Sequence, residues 1–325
     1  METLTMKFPH LSELIFDHLD NQSLIHCKIV CKPWSIYIGH QKFYGIRVIK
    51  ETLKKFHKLS ETWLEVFKKA NSNTIMELRK CFDQFYEGRR QKPHFEKEVT
   101  PLHVTADAGN ITLYEAIHKL AKNKQPRTED GFEPVVYAMN KGHVKMTEFI
   151  MQGLVDKNPI SKNGFTALHR VAKYGHVEIC ETILQHLEDK NPKCNYSDTT
   201  PLHVAASFGH FRLCELITKQ IEEKNPRDVD GWTPLHEAAK HGHAKALETI
   251  MKSVQNKNPM SNWTRMTPLH LSAKYGHVEV CMLILQNVKN KNPRNEDGKT
   301  PLAIARENNQ FKVCWLLEKI WKCVI

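Results

Sequence analysis

A four-residue signature returns along this chain at an almost fixed interval, and that interval limits the fold more than any other feature. Thr100-Pro101-Leu102-His103 is followed by Thr166-Ala167-Leu168-His169, Thr200-Pro201-Leu202-His203, Thr233-Pro234-Leu235-His236, Thr267-Pro268-Leu269-His270 and Thr300-Pro301-Leu302-Ala303, with a degenerate copy at Glu133-Pro134-Val135-Val136. Successive starts lie 33, 33, 34, 33, 34 and 33 residues apart. Each unit is therefore one small supersecondary element, which buries its apolar face against the units beside it and not in a common centre.

Two further landmarks keep step with the first. Gly142-His143, Gly175-His176, Gly209-His210, Gly242-His243 and Gly276-His277 form one, and Lys-Asn-Pro ends units at Pro159, Pro192, Pro226, Pro259 and Pro293. Threonine as N-cap followed by proline starts a helix, and glycine accepts the left-handed conformation that stops it. After each Gly-His an apolar pattern such as Val177, Ile179, Cys180, Ile183, Leu184 and Leu187 marks one face of a second helix. Asn-Pro is expected to end that helix, because the residue before proline is pushed into extended backbone. Asp130-Gly131, Asp230-Gly231 and Asp297-Gly298 supply a turn before the next threonine.

This period, with its TPLHxAAxxGH core, resembles the ankyrin repeat over about two thirds of the chain. The resemblance implies an all-α, ankyrin-repeat solenoid of about seven helix-turn-helix repeats with hairpin fingers, used for binding proteins. Where that family places glycine after the second helix, this chain has Leu154, Leu187, Ile221, Val254 and Val288. A longer second helix is expected, stopped by Asn-Pro, with the extra apolar residue packed between neighbours.

Ten of the 19 histidines belong to the two landmarks, where they are expected to hydrogen-bond between adjacent repeats. His236-Glu237 with His241 imitates a zinc motif, but histidines five apart point about 140° apart on a helix. No metal or other cofactor is expected. Cys180, Cys214, Cys281 and Cys314 share one position in four repeats and are expected as small core residues, too far apart to pair.

Residues 1–99 lack the period. Glu13 to Asp20 carries a helix-spaced apolar face, Ser23-Leu24 caps a second short helix through Val30, and Cys31-Lys32-Pro33-Trp34 opens a third. The run from Phe8-Pro9 to Trp34 resembles the F-box. That implies a Skp-type adaptor of a cullin ubiquitin ligase as partner, with Pro9, Leu14, Phe16, Leu19, Leu24, Val30 and Trp34 as the adaptor-binding residues. The expected domains are an F-box-like helical module at 1–46, linker or capping helices at 47–98 and ankyrin repeats at 99–325. Leu59, Trp63, Val66, Phe67, Ile75, Leu78 and Phe82 provide the cap's apolar face.

In ankyrin solenoids the partner meets the finger tips and the exposed end of the first helix. The matching positions here are Lys173-Tyr174, Ser207-Phe208, Lys240-His241 and Lys274-Tyr275, with Phe132, Phe165 and Trp232 following the turns. Aromatics beside cations suit an acidic or phosphorylated target segment with an apolar anchor. Both 34-residue steps place their extra residue in a finger, and Tyr196 and Trp263 are candidate anchors there.

The remaining composition narrows the function. Net charge is +11, but lysines interleave with acids along the chain, which argues for a solvated surface and against nucleic acid as the partner. The longest apolar run, Val280 to Leu285, is far below the roughly 18 residues of a membrane span, and Met1-Glu2-Thr3 does not open a secretory leader. Nine scattered cysteines suit a reducing compartment, cytoplasmic or nuclear. With no nucleophile beside a base and no phosphate loop, the chain is expected to be a non-catalytic substrate receptor. The competing reading is an ankyrin scaffold unrelated to ubiquitin.

Overall fold

The computed structural model describes residues 46–47, 49–50, 61–87, 98–154 and 156–322. The seven adaptor-binding candidates Pro9, Leu14, Phe16, Leu19, Leu24, Val30 and Trp34, and Leu59 of the expected cap, lie outside the described residues. Among those described, the structure is helical, with one isolated bridge between Ile160 and Thr166 and no strand. Two compact units divide the chain, Met1–Ala138 and Met139–Ile325.

The first unit holds α1 (Glu61–Lys69), α2 (Ser72–Glu87), α3 (Pro101–Asp107) and α4 (Ile111–Leu120), and α5 (Pro134–Lys141) runs across the division. Trp63, Val66 and Phe67 on α1 and Ile75, Leu78 and Phe82 on α2 are all buried. Trp63 stands edge-on to Phe82 with centroids 5.6 Å apart. Its Nε1–H donates to the Val99 carbonyl at 2.8 Å, joining this helix pair to the start of the first repeat. Glu65 closes the same junction with an ion pair to Lys122 at 3.0 Å.

The second unit alternates short first and second helices: α6 (Val144–Gln152), α7 (Ala167–Tyr174), α8 (Val177–Leu184), α9 (Pro201–Ser207), α10 (Phe211–Gln220), α11 (Pro234–His241), α12 (Ala244–Met251), α13 (Pro268–Tyr275), α14 (Val278–Asn287), α15 (Pro301–Glu307) and α16 (Phe311–Lys322). From α7 onward first helices pack on first helices and second on second. The leucines of the signature, Leu168, Leu202, Leu235 and Leu269, are fully buried in the seam.

The signature builds its own cap and its own cross-link. In repeat after repeat the threonine N–H donates to Nδ1 of the histidine three residues on, at 3.2 Å for Thr200 with His203 and 3.0 Å for Thr233 with His236. An occupied Nδ1 forces the ring proton onto Nε2, which donates to a carbonyl of the next finger. His169 reaches Thr199 at 2.9 Å, His203 reaches Trp232 at 3.0 Å, His236 reaches Met266 at 3.1 Å and His270 reaches Lys299 at 3.1 Å. His103 does the same to Phe132 at 3.0 Å within the first unit. Burial keeps these rings neutral, pushing His103, His169, His203 and His270 down to about 4 and His236 to about 3.

The Gly-His histidines bond in the opposite direction, back to the preceding repeat. Nε2 of His176, His210, His243 and His277 donates to the carbonyls of Asn140, Lys173, Ser207 and Lys240 at 3.0–3.2 Å. The expected inter-repeat hydrogen bonding is present, as two ladders of opposite polarity.

The second helices differ from expectation. They run eight to ten residues in α6, α8, α10, α12 and α14, and stop well before Asn-Pro. The lysine of Lys-Asn-Pro ends them: Lys157 donates to the Met151 carbonyl, Lys190 to Leu184 and Leu187, and Lys224 to Thr218 and Ile221. An ammonium there satisfies carbonyls that a helix end leaves open and complements the helix dipole. The asparagine serves the next helix, since Oδ1 of Asn158, Asn191 and Asn258 accepts from Leu168, Leu202 and Leu269 N–H at 2.9–3.0 Å. Of the extra apolar residues, Leu154 is buried, while Leu187, Ile221, Val254 and Val288 are half-buried. Cys180, Cys214 and Cys281 are buried free thiols, but Cys314 is only half-buried and is not a core residue.

Candidate protein-binding surface

The candidate strip is assembled by the end of each first helix, where the chain turns left-handed at glycine. In four of the five Gly-His pairs an aromatic ring precedes the glycine and lies over the histidine that follows it. Ring centroids are 6.3 Å apart for Tyr174 with His176, 6.4 Å for Phe208 with His210, 6.2 Å for His241 with His243 and 6.5 Å for Tyr275 with His277. The histidine is anchored through Nε2, so the outer ring is held in one orientation with little freedom left to lose on binding.

Lysines complete the strip. Lys173 Nζ stands 5.9 Å from the Tyr174 ring and 5.7 Å from Phe208 of the next repeat, bridging two units. Lys240 lies 5.0 Å over Trp232 and Lys274 5.6 Å over Tyr275. Ser207 Oγ and His241 Nδ1 approach to 3.4 Å, so the strip continues from Phe208 to His241. Tyr174, Phe208 and Tyr275 remain between 43% and 48% exposed. Trp232 and Phe165 are half-buried. Phe132, expected to extend the strip, is buried beneath its finger, with its carbonyl taken by His103 and its N–H donated to Thr128 Oγ1.

The fingers carry the second group of candidates. Ordinary fingers close from residue i to i+4, as Asp228 N–H to the Trp232 carbonyl, whereas the two longer ones close from i to i+5, as Cys194 to Thr199 and Ser261 to Met266. The added residue is accommodated by positive φ at Asp198 (54°) and Arg265 (50°). It pushes Tyr196 and Trp263 outward to 76% and 72% exposure. Neighbouring fingers are tied by main-chain bonds, Val229 N–H to Ser197, Asn262 N–H to Asp230 and Glu296 N–H to Thr264, so both aromatics ride on a braced ribbon.

No group of three or more histidines, cysteines or acids suited to a metal occurs among the described residues. In the zinc-like sequence, both nitrogens of His236 are spent on Thr233 and Met266, while His241 faces solvent. No described helix is long and apolar enough to cross a membrane. Exposed Met282, Phe311 and Trp315 were not singled out from the sequence. The signal of Met282 and Trp315 is visible only when the repeats are aligned on their second helices, where the two interrupt a column of glutamates, while Phe311 falls in a column that is apolar throughout.

Comparison with known proteins agrees with this architecture. A family model for ankyrin repeats (3 copies) matches residues 102–194, 186–260 and 250–323, together more than half of the chain. A second, for the F-box domain, matches residues 8–45. The crystal structure of the human ASB11 ankyrin repeat domain superposes with a TM-score of 0.58 at 21% identity, covering 67% of this chain and 98% of that one. No curated protein sequence matches the chain.

Proposed function

Because the chain belongs to the ankyrin-repeat family and carries an F-box match ahead of its repeats, we propose that it is a substrate receptor of a Skp-cullin-F-box type ubiquitin ligase. In this reading residues 8–45 hold the Skp-type adaptor, and the ankyrin repeats present a target protein to a ubiquitin-charged enzyme. The chain supplies proximity and leaves the chemistry to another protein. An F-box match and an ankyrin array in one chain, the first at 8–45 and the second from 102, carry the proposal.

The target-binding surface in this reading is the lysine–aromatic strip of Lys173, Tyr174, Phe208, Lys240, His241, Lys274, Tyr275 and Trp232, with Tyr196 and Trp263 as finger-tip anchors. Clamped aromatics flanked by ammonium groups favour an acidic segment with an apolar side chain. The described cysteines are free, which fits action in the cytoplasm or nucleus.

The test is capture of a purified Skp-type adaptor by the intact chain and by a variant with Leu19, Leu24 and Trp34 changed to alanine. Binding by the intact chain and loss in the variant is expected. Absence of binding by the intact chain would end the ligase reading in favour of a plain scaffold.

A further inference from the structure

The outer face of the second helices changes character in the last two repeats. The residue four after the start of each second helix is Glu115, Glu148, Glu181, Glu215 and Glu248, and then Met282 and Trp315. All five glutamates are exposed. Three of them neutralise a lysine one turn on: Glu115 with Lys119 at 2.8 Å, Glu215 with Lys219 at 2.7 Å and Glu248 with Lys252 at 2.9 Å.

In α16 the lysine is kept but its carboxylate is gone. Lys319 Nζ lies 5.0 Å over the Trp315 ring and makes no ion pair among the described residues. The acid beside it on α16, Glu318, is taken by Arg306 at 2.6 Å. Trp315 is 65% exposed, Phe311 one turn before it 78%, and Met282 at the matching position of α14 43%. None of the three seats its helix: α16 is held by fully buried Val313 and Leu317, and α14 by fully buried Cys281 and Ile284. Met282 and Trp315 therefore stand in solvent where the five earlier repeats place a glutamate, Phe311 stands exposed one turn before Trp315 at a position that is apolar in every repeat, and Lys312 and Lys319 are exposed on the same helix.

We propose that this face, centred on Met282, Phe311 and Trp315, docks a short acidic segment of a partner protein, with an apolar side chain set against the aromatics and carboxylates on Lys312 and Lys319. Charge selects this occupant, because Lys119, Lys219 and Lys252 each hold a glutamate whereas their counterpart Lys319 makes no ion pair among the described residues, and exposed Lys312 adds a second ammonium on the same helix. Area points the same way. The exposed parts of a phenylalanine, a tryptophan and a methionine amount to about 350 Å², less than half of the roughly 800 Å² per partner that a stable pairing of two copies needs. The site is separate from the lysine–aromatic strip and does not depend on the ubiquitin reading.

The experiment uses the full chain and short labelled peptides that carry leucine or phenylalanine between glutamates, read by fluorescence anisotropy. Control peptides replace glutamate by lysine, or the apolar residue by serine. Trp315→Glu is the main variant, because it restores the ion pair of the earlier repeats and should fold as well as the parent, as circular dichroism would verify. Expected are a preference for the acidic apolar peptides, at least about tenfold weaker binding by Trp315→Glu, and a swapped charge preference in Lys319→Glu. Equal binding by Trp315→Glu or no preference for glutamate over lysine would overturn the proposal. So would Trp315-dependent binding to phosphatidylserine vesicles in place of peptides, or Trp315-dependent self-association in sedimentation.

Discussion

His210 lies so close over Gly175 that a Cβ placed on the glycine would stand 2.7 Å from both Cε1 and Nδ1 of the imidazole. The same pairing recurs between Gly142 and His176, Gly209 and His243, and Gly242 and His277, while Gln310 takes the histidine's place over Gly276. The glycine of one repeat is thus the seat of the next repeat's histidine. Two demands meet at one residue: a φ of +80° at Gly175, and empty space where a side chain would begin.

The two demands can be separated by mutation. Gly298 has a similar φ of +72° but nothing within 4 Å of its missing Cβ. Gly298→Ala should cost only the left-handed strain, about 1–2 kcal/mol. Gly175→Ala must also displace a hydrogen-bonded imidazole and should cost roughly 3 kcal/mol or more. Urea denaturation of the two variants checks the order, and equal losses would mean the histidine yields at no cost.

The signature histidines make the fold sensitive to acid. Burial is the main cause of their lowered values; Lys193 and His169 also lower His203, while Arg227 and His203 lower His236. An unfolded histidine takes a proton near 6.5, whereas these rings resist until about 4 or 3. Between those values the unfolded state binds more protons, so stability falls as pH drops from about 7 towards 4. Each ring contributes a loss of roughly 3 kcal/mol when that window is fully crossed. Four such rings lie in the second unit, and their combined loss is comparable to the usual domain stability of about 5–15 kcal/mol. Melting temperature should therefore drop steeply between pH 7 and pH 5, and a flat profile there would contradict the neutral ladder.

The lysines of Lys-Asn-Pro should matter more than those in surface ion pairs. Lys224 caps the carbonyls of Thr218 and Ile221 at the end of α10, while Lys219 on the same helix only pairs with exposed Glu215. Lys224→Met should cost about 1–2 kcal/mol through the lost charged hydrogen bonds. Lys219→Met should stay within about 0.5 kcal/mol. Thermal melts of the two variants at moderate salt distinguish the roles.

The repeat, both helices of each unit and the structural duty of the histidines were legible because each rests on a local rule repeated several times. Thr200, Pro201, Leu202 and His203 act within one turn, and repetition separates such a signal from chance. The early stop of the second helices was not legible, because it depends on Lys190 folding back six residues to Leu184, a contact that no spacing rule announces. Phe132 was misplaced for a similar reason: it occupies the same sequence position as half-exposed Trp232, and only the packing beneath its own finger tells the two apart. The role of Gly175 was half legible, since its left-handed turn is local but the imidazole above it belongs to the next repeat.

The finger-tip aromatics offer a last test, because structure and function predict opposite sensitivities for them. Tyr196 and Trp263 are 76% and 72% exposed, so replacing either with alanine removes almost no buried surface and should leave stability within about 0.5 kcal/mol. Trp63, only 1% exposed and bonded to Val99, should by contrast lose about 3–5 kcal/mol on the same change. A stable fold allows the double variant Tyr196→Ala with Trp263→Ala to be used in cells. The ribbon that carries the anchors is held by main-chain bonds and survives their loss, so if the chain is the substrate receptor proposed above, proteins that accumulate on its removal should accumulate equally when the double variant replaces it, through lost capture alone. If those proteins are turned over normally by a folded double variant, capture runs through other residues and the two aromatics are only tolerated loop-tip insertions.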